Sequence, residues 1–155
     1  MPENLLPGSP HEARRRWMAV LARASADTLA VRLGQCGAVP GYRRLRAPES
    51  GLVMVRGRAG GGGAPFNLGE MTVTRCTVRT DDGCVGHAYV AGRDERQAEL
   101  AALFDALMQD PARGPDILAN VIEPLAAEQQ ARRATVAAKA AATKVQFFAM
   151  RNMRA

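Results

Sequence analysis

EMTVTRCTVRT (Glu70–Thr80) runs directly into DDG (Asp81–Gly83) and CVGHAYVA (Cys84–Ala91). Thr and Val crowd the first segment, and β-branched side chains suit a pleated strand. Asp-Asp-Gly is a tight-turn signal, so the second segment returns as the antiparallel partner of the first. Counting outward from the turn sets Cys76 opposite Ala88 or Tyr89. A hairpin in mid-chain with helical patterns on both sides is an α+β order, not the alternating βαβ of a nucleotide-binding parallel sheet.

Upstream, Leu52–Arg58 reads as a strand whose mixed alternation predicts burial on both faces at one end. Tyr42–Arg46 is a shorter strand set off by turns at Pro40-Gly41 and Ala47-Pro48. A helix is predicted from Glu12, with Trp17, Val20, Leu21 and Ala24 on one stripe and Arg15 and Arg16 pointing partly away from it. Ser25 caps a second short helix carrying Leu29 and Leu33, which stops near Gly34 or Gly37. Downstream, Arg93–Met108 is an amphipathic helix with Leu100, Leu103, Phe104 and Leu107 on its buried stripe. Asp116–Ile122 makes another short helical turn, and an Ala-rich helix follows Pro124 to about Ala142. Its few large apolar residues include Leu125 and Val136. Lys144–Arg151 (KVQFFAMR) reads as a last strand. The expected architecture is a small antiparallel sheet with helices packed on it. It forms one domain over residues 12–155, after a flexible tail at residues 1–11.

The chain has 155 residues, 47% of them hydrophobic, which suits one globular domain. No apolar run approaches the roughly 20 residues that cross a bilayer. The N-terminal MPENLLPGSPHEARRRW lacks the basic start and apolar core of a signal peptide. Cys36, Cys76 and Cys84 are odd in number and far apart, which predicts reduced thiols and a cytoplasmic protein without membrane contact. The net charge of +6 is carried almost wholly by arginine and is one-sided. Up to Thr80 there are 12 Arg against five acids, and after it nine cations against ten acids. Such a patch suits an anionic partner: nucleic acid, a phosphorylated small molecule or an acidic protein face.

The glycine run Gly60–Gly63 lacks the Lys and the helix N-terminus of a phosphate loop and leads into a strand instead. Arg56, Arg58, Arg75 and Arg79 flank it; if their strands pair, the four line one groove wall as candidate anion ligands. Solvated strand arginines are the plainer reading. Cys84-Val-Gly-His87 has no second ligand pair at zinc spacing, and neither His11 nor the other cysteines supply one. Cys76 and His87 share the hairpin, but nothing in the sequence makes them a nucleophile and base. Seven aromatics in the whole chain are few for stacking nucleic-acid bases. On residues alone the chain is a basic α+β domain for binding or assembly. A free-standing nucleotide- or RNA-binding module and a self-sufficient enzyme using Cys76 or His87 stand as alternatives.

RRRWMAVLA (Arg14–Ala22), GLVMVRGRAGGGGAPFNLGEMTVTRCTV (Gly51–Val78), GCVGHAYVAGRDERQAELAALFDALMQ (Gly83–Gln109) and KVQFFAMR (Lys144–Arg151) occur in this order. Together they resemble the PhnG subunit family of the bacterial carbon–phosphorus lyase system, with PFNLGE, TVTR and GRD the most specific blocks. The C-terminal FFAMRNMRA departs from the family's commoner FF-T-MVRG. The resemblance implies a place in phosphonate breakdown, in a core complex with the PhnH, PhnI and PhnJ subunits. With the H, I and PhnL subunits it implies conversion of ATP and methylphosphonate into α-D-ribose 1-methylphosphonate 5-triphosphate, displacing adenine. The I subunit would carry the nucleosidase chemistry, and the J subunit would later cleave the C–P bond. The family offers no catalytic residue to carry over; on the residues themselves, no metal ligand, cofactor, nucleic acid or membrane is expected. The apolar and Ala-rich helix surface exceeds what a small sheet can cover, so an accessory subunit is expected whose helices, Trp17–Ala24 and Leu125–Ala142, pack on the I-type subunit, with Trp17, Met18, Leu21, Leu125 and Val136 as candidate interface residues.

Overall fold

The computed structural model describes residues 10–58 and 63–144. Helices α1 (Pro10–Leu21) and α2 (Ala26–Gln35) come first, followed by strands β1 (Tyr42–Gly57), β2 (Phe66–Thr80) and β3 (Val85–Ala91). Then come α3 (Glu95–Met108), the short α4 (Gly114–Ile117), one π-helical turn at Leu118–Ile122, and α5 (Glu123–Ala142). The three strands form one antiparallel sheet in the order β1-β2-β3. The α+β architecture expected from the sequence is therefore present, with α3 laid across one face of the sheet.

Local chemistry sets the element ends. Ser25 Oγ accepts from the Thr28 amide and caps α2, while Asp94 does the same for α3 through the Gln97 amide. Gly83 turns the β2–β3 hairpin at φ 90°, a left-handed conformation that costs glycine nothing. Helix α1 begins at Pro10, two residues before the expected start; a proline fits a first helical position because its missing N–H has no partner there.

Three expectations change. Tyr42–Arg46 and Leu52–Arg58 are not two strands but parts of one, β1. Ala47-Pro48 sits in a register irregularity between Arg46 and Glu49. An edge strand tolerates Pro there because the missing N–H is not owed to a neighbour. The far end of β1 is not buried on both faces: Leu52 is 64% and Met54 53% exposed. Strand β3 pairs β2 only from Val73 to Arg79, so among the described residues no strand flanks β2 on that side beyond it. Finally, Asp116–Ile122 and the Ala-rich helix are one nearly continuous helical run through Pro124. Pro124 cannot donate to the turn behind it, and the π turn, where the Glu123 amide bonds to Leu118 O, widens the backbone to admit its ring. The predicted strand Lys144–Arg151 lies, from residue 145 on, outside the described residues.

The core is one cluster. Cys76, Val78, Ala88 and Val90 of the sheet meet Leu103, Phe104 and Leu107 of α3, with Leu21, Leu29, Val121 and Leu125 closing its sides. Helix α3 is buried along the whole run Ala101–Met108 rather than on a single stripe. Gly86 explains how it comes so close: a Cβ there would collide with the Ala102 carbonyl oxygen and stand 2.5 Å from the Ala106 nitrogen.

Candidate functional site

Asp105 is the one fully buried carboxylate among the described residues. Its Oδ1 accepts from Trp17 Nε1 at 2.8 Å and from Arg14 Nε at 3.2 Å. Its Oδ2 accepts from an Arg14 terminal nitrogen at 2.7 Å and from the His87 amide at 2.8 Å. Gln109 Nε2 meanwhile donates to Val85 O at 2.7 Å. Side chains thus engage the first residues of β3's free edge, at Val85 and His87, and α1 is clamped onto α3. Every lone pair is used on the chain's own groups, so this cluster holds structure and offers nothing to a substrate. Gln97 and Gln129 act similarly, donating to the last carbonyls of the α1 region at Ala22, Ala24 and Val20.

Among the candidate interface residues, Leu21 and Leu125 are core side chains, 1% and 3% exposed. What they contribute to any docking face is the position of their helices, not their own surface. Trp17 is half-buried and tied to Asp105, Met18 is half-buried, and Val136 is 61% exposed. Val136 lies beside a shallow apolar depression shared with Arg23, Ala137 and Ala140.

The four candidate anion ligands do not converge. Arg56 pairs in register with Asn67 near one end of the ribbon, Arg75 with Glu49 in its middle, and Arg79 with Arg43 near the other end. At about 3.3 Å per residue, roughly 26 Å separates the Arg56 position from Arg75 and roughly 13 Å separates Arg75 from Arg79. Arg75 is engaged by Glu49 at 2.5 Å, and Arg46 joins the same carboxylate at 3.1 Å. Arg79 faces Arg43 across the strands, and among the described residues neither makes an ion pair. Arg58 is exposed and follows the end of β1.

Cys76 lies opposite Ala88, one of the two partners counted from the turn, and His87 lies opposite Thr77. Neighbouring residues on a strand point to opposite faces. Cys76 is therefore buried against α3, while His87 is exposed on the other face with Nδ1 3.1 Å from Thr77 Oγ1. Burial pushes the Cys76 thiol up from its ordinary value, which disfavours the nucleophilic thiolate. The three cysteines are free thiols, and no three His, Cys, Asp or Glu side chains gather at a metal-binding distance among the described residues. Nor, among those residues, is any helix long and apolar enough to cross a membrane. Sequence reading missed the Glu99 site: its carboxylate receives Arg44 through two bonds of 2.8 Å and the Tyr42 hydroxyl at 3.0 Å. The Arg44 bonds hold that carboxyl below its ordinary value against a smaller opposing effect of burial.

Set beside known proteins, residues 12–152 match the family described as phosphonate metabolism protein PhnG. A relative from Rhizobium meliloti (strain 1021), named alpha-D-ribose 1-methylphosphonate 5-triphosphate synthase subunit PhnG, is 47% identical over 137 residues. Those residues cover 88% of this chain and 87% of the relative. The chain belongs to the PhnG family of phosphonate metabolism proteins.

Proposed function

We propose that the chain is an accessory subunit of the cytoplasmic carbon–phosphorus lyase core complex, with PhnH, PhnI and PhnJ as standing partners. With the H, I and L subunits it serves the formation of α-D-ribose 1-methylphosphonate 5-triphosphate from ATP and methylphosphonate. The observation that carries this reading is the 47% identity, over nearly the whole chain, to a protein named as a synthase subunit. The geometry supports an accessory part over a catalytic one: Cys76 and His87 are split between opposite faces of the sheet, and the carboxylate of Asp105 is consumed by Arg14, Trp17 and the His87 amide. Met18 on α1 and Val136 on α5 mark the helix surface offered to the I-type subunit. Of the four candidate anion ligands, Arg79 beside Arg43, and Arg56 with Arg58, have no ion pair among the described residues, whereas Arg75 already has Glu49.

The test is reconstitution. Adenine release from ATP that depends on methylphosphonate is expected when this chain is combined with the H, I and L subunits. Leaving the chain out is expected to abolish release, and the chain alone is expected to release none. A purified chain that ignores those subunits and instead binds RNA, with affinity falling steeply as salt rises, would favour the basic binding module.

A further inference from the structure

Beyond Val73 the sheet continues, among the described residues, as two strands, residues 52–57 of β1 and 66–71 of β2. This arm is about 20 Å long at strand rise. A two-stranded ribbon is marginal in water by itself. Its side chains nevertheless include Leu52, Met54, Phe66, Leu68 and Met71, between 43% and 64% exposed. By register Leu52 and Met54 lie on one face of the ribbon and Met71 and Phe66 on the other, so this projection exposes large apolar groups on both faces, as an interaction site does. Among the described residues no strand pairs with either backbone edge of the ribbon there, since β1 is an edge strand and β3 has ended. At its outer end, Arg56 donates to the Pro65 carbonyl at 3.4 Å, and among the described residues neither Arg56 nor Arg58 makes an ion pair.

We infer that this arm docks into an apolar cleft with an acidic end on a sister subunit of the synthase, the apolar stem lining the cleft and Arg56 and Arg58 meeting carboxylates. The inference rests on the subunit reading above and adds a second joining surface beside the helix face. Charge selects the occupant. A second copy of a chain of net charge +6 brings more arginine to the same place, whereas an acidic cleft neutralises the two guanidiniums as it covers the stem.

The experiment co-expresses the full chain with the H, I and J subunits and measures recovery of the complex and the affinity of the isolated chain for it. Leu52→Thr/Met54→Thr removes two exposed apolar groups from one face of the arm while keeping strand-forming residues. Its melting curve is expected to match the parent's, and its affinity for the sister subunits to fall at least tenfold. Leu52→Met/Met54→Leu is expected to restore binding. Val31→Thr on α2 makes the same kind of change at a 62% exposed site off the arm and is expected to bind normally. Undiminished binding by the Thr pair overturns the docking arm and leaves the subunit reading intact, as does an equal loss with Val31→Thr. A parent chain that never joins the sister subunits overturns both. A parent chain that dimerises through the arm, with the Thr pair monomeric, overturns the hetero-partner in favour of a second copy.

Discussion

Asp105 shows how much one side chain can organise. Arg14 and Trp17 come from α1 and the His87 amide from the edge of β3, so the carboxylate ties three elements together. A sign of it was on display in the sequence: an acid inside the apolar run Leu103-Phe104-Asp105-Ala106-Leu107. What periodicity could not supply was the partner, because Arg14 lies 91 residues away. Asp105→Asn keeps the shape but turns an NH2 group toward a ring of donors. A cost of about 3 kcal/mol or more is expected in urea unfolding, since a buried pair broken on one side leaves an uncompensated charge. The only tryptophan is Trp17, so its emission should report the local change. Glu99 makes a different forecast. Its carboxyl lies below the ordinary value of 4.5, so the stability it adds is present above that pH and lost as the pH falls through its lower folded value. Comparing the parent with Glu99→Gln, the stability gap should be full above about pH 5.5 and close as the medium is acidified below 4.5. A gap that stays constant down to about pH 3 would show that Arg44 and Tyr42 do not set that equilibrium.

At the scale of elements, the legible parts were those written in neighbouring residues. The Asp81–Gly83 turn, the Ser25 cap and the β2–β3 hairpin are all local chemistry, and all are present. The misread parts depend on how far a distant partner reaches. Leu52 and Met54 look like buried strand residues, yet a seven-residue β3 cannot flank a fifteen-residue β2 along its length. Pro48 looks like a turn because its place on an unpaired sheet edge is invisible locally. The candidate anion ligands were dispersed for the same reason, since strand register is a long-range property. Gly86 tests the closest approach of two elements. Gly86→Ala drives a methyl against the Ala102 carbonyl and the Ala106 backbone, neither of which is a flexible side-chain end. Helix α3 must then lift from β3, and a loss of about 3 kcal/mol is expected in denaturant unfolding. A variant as stable as the parent would mean that α3 gives way without cost.

For the whole molecule, the structure turns the uneven charge of the sequence into a place. Seven of the twelve arginines up to Thr80 stand on β1 and β2 or just past β1: Arg43, Arg44, Arg46, Arg56, Arg58, Arg75 and Arg79. Arg44 is matched by Glu99, and Arg46 and Arg75 share Glu49. The other four have no ion pair among the described residues, and Arg43 and Arg79 even sit directly opposite each other. Like charges facing each other across strands destabilise a sheet, so the arrangement makes best sense where an acidic surface approaches it. Exposed charges steer encounter more than they hold a finished complex. The association rate with the sister subunits should therefore fall by about tenfold or more between 50 and 500 mM salt, as the screening length shrinks. Arg43→Gln/Arg79→Gln should slow association at low salt and flatten that dependence, leaving the dissociation rate nearly unchanged. Stopped-flow mixing separates the two rates. A variant with parental association and faster dissociation would place these arginines inside the finished contact, whereas no change in either rate would leave them as ordinary solvated side chains.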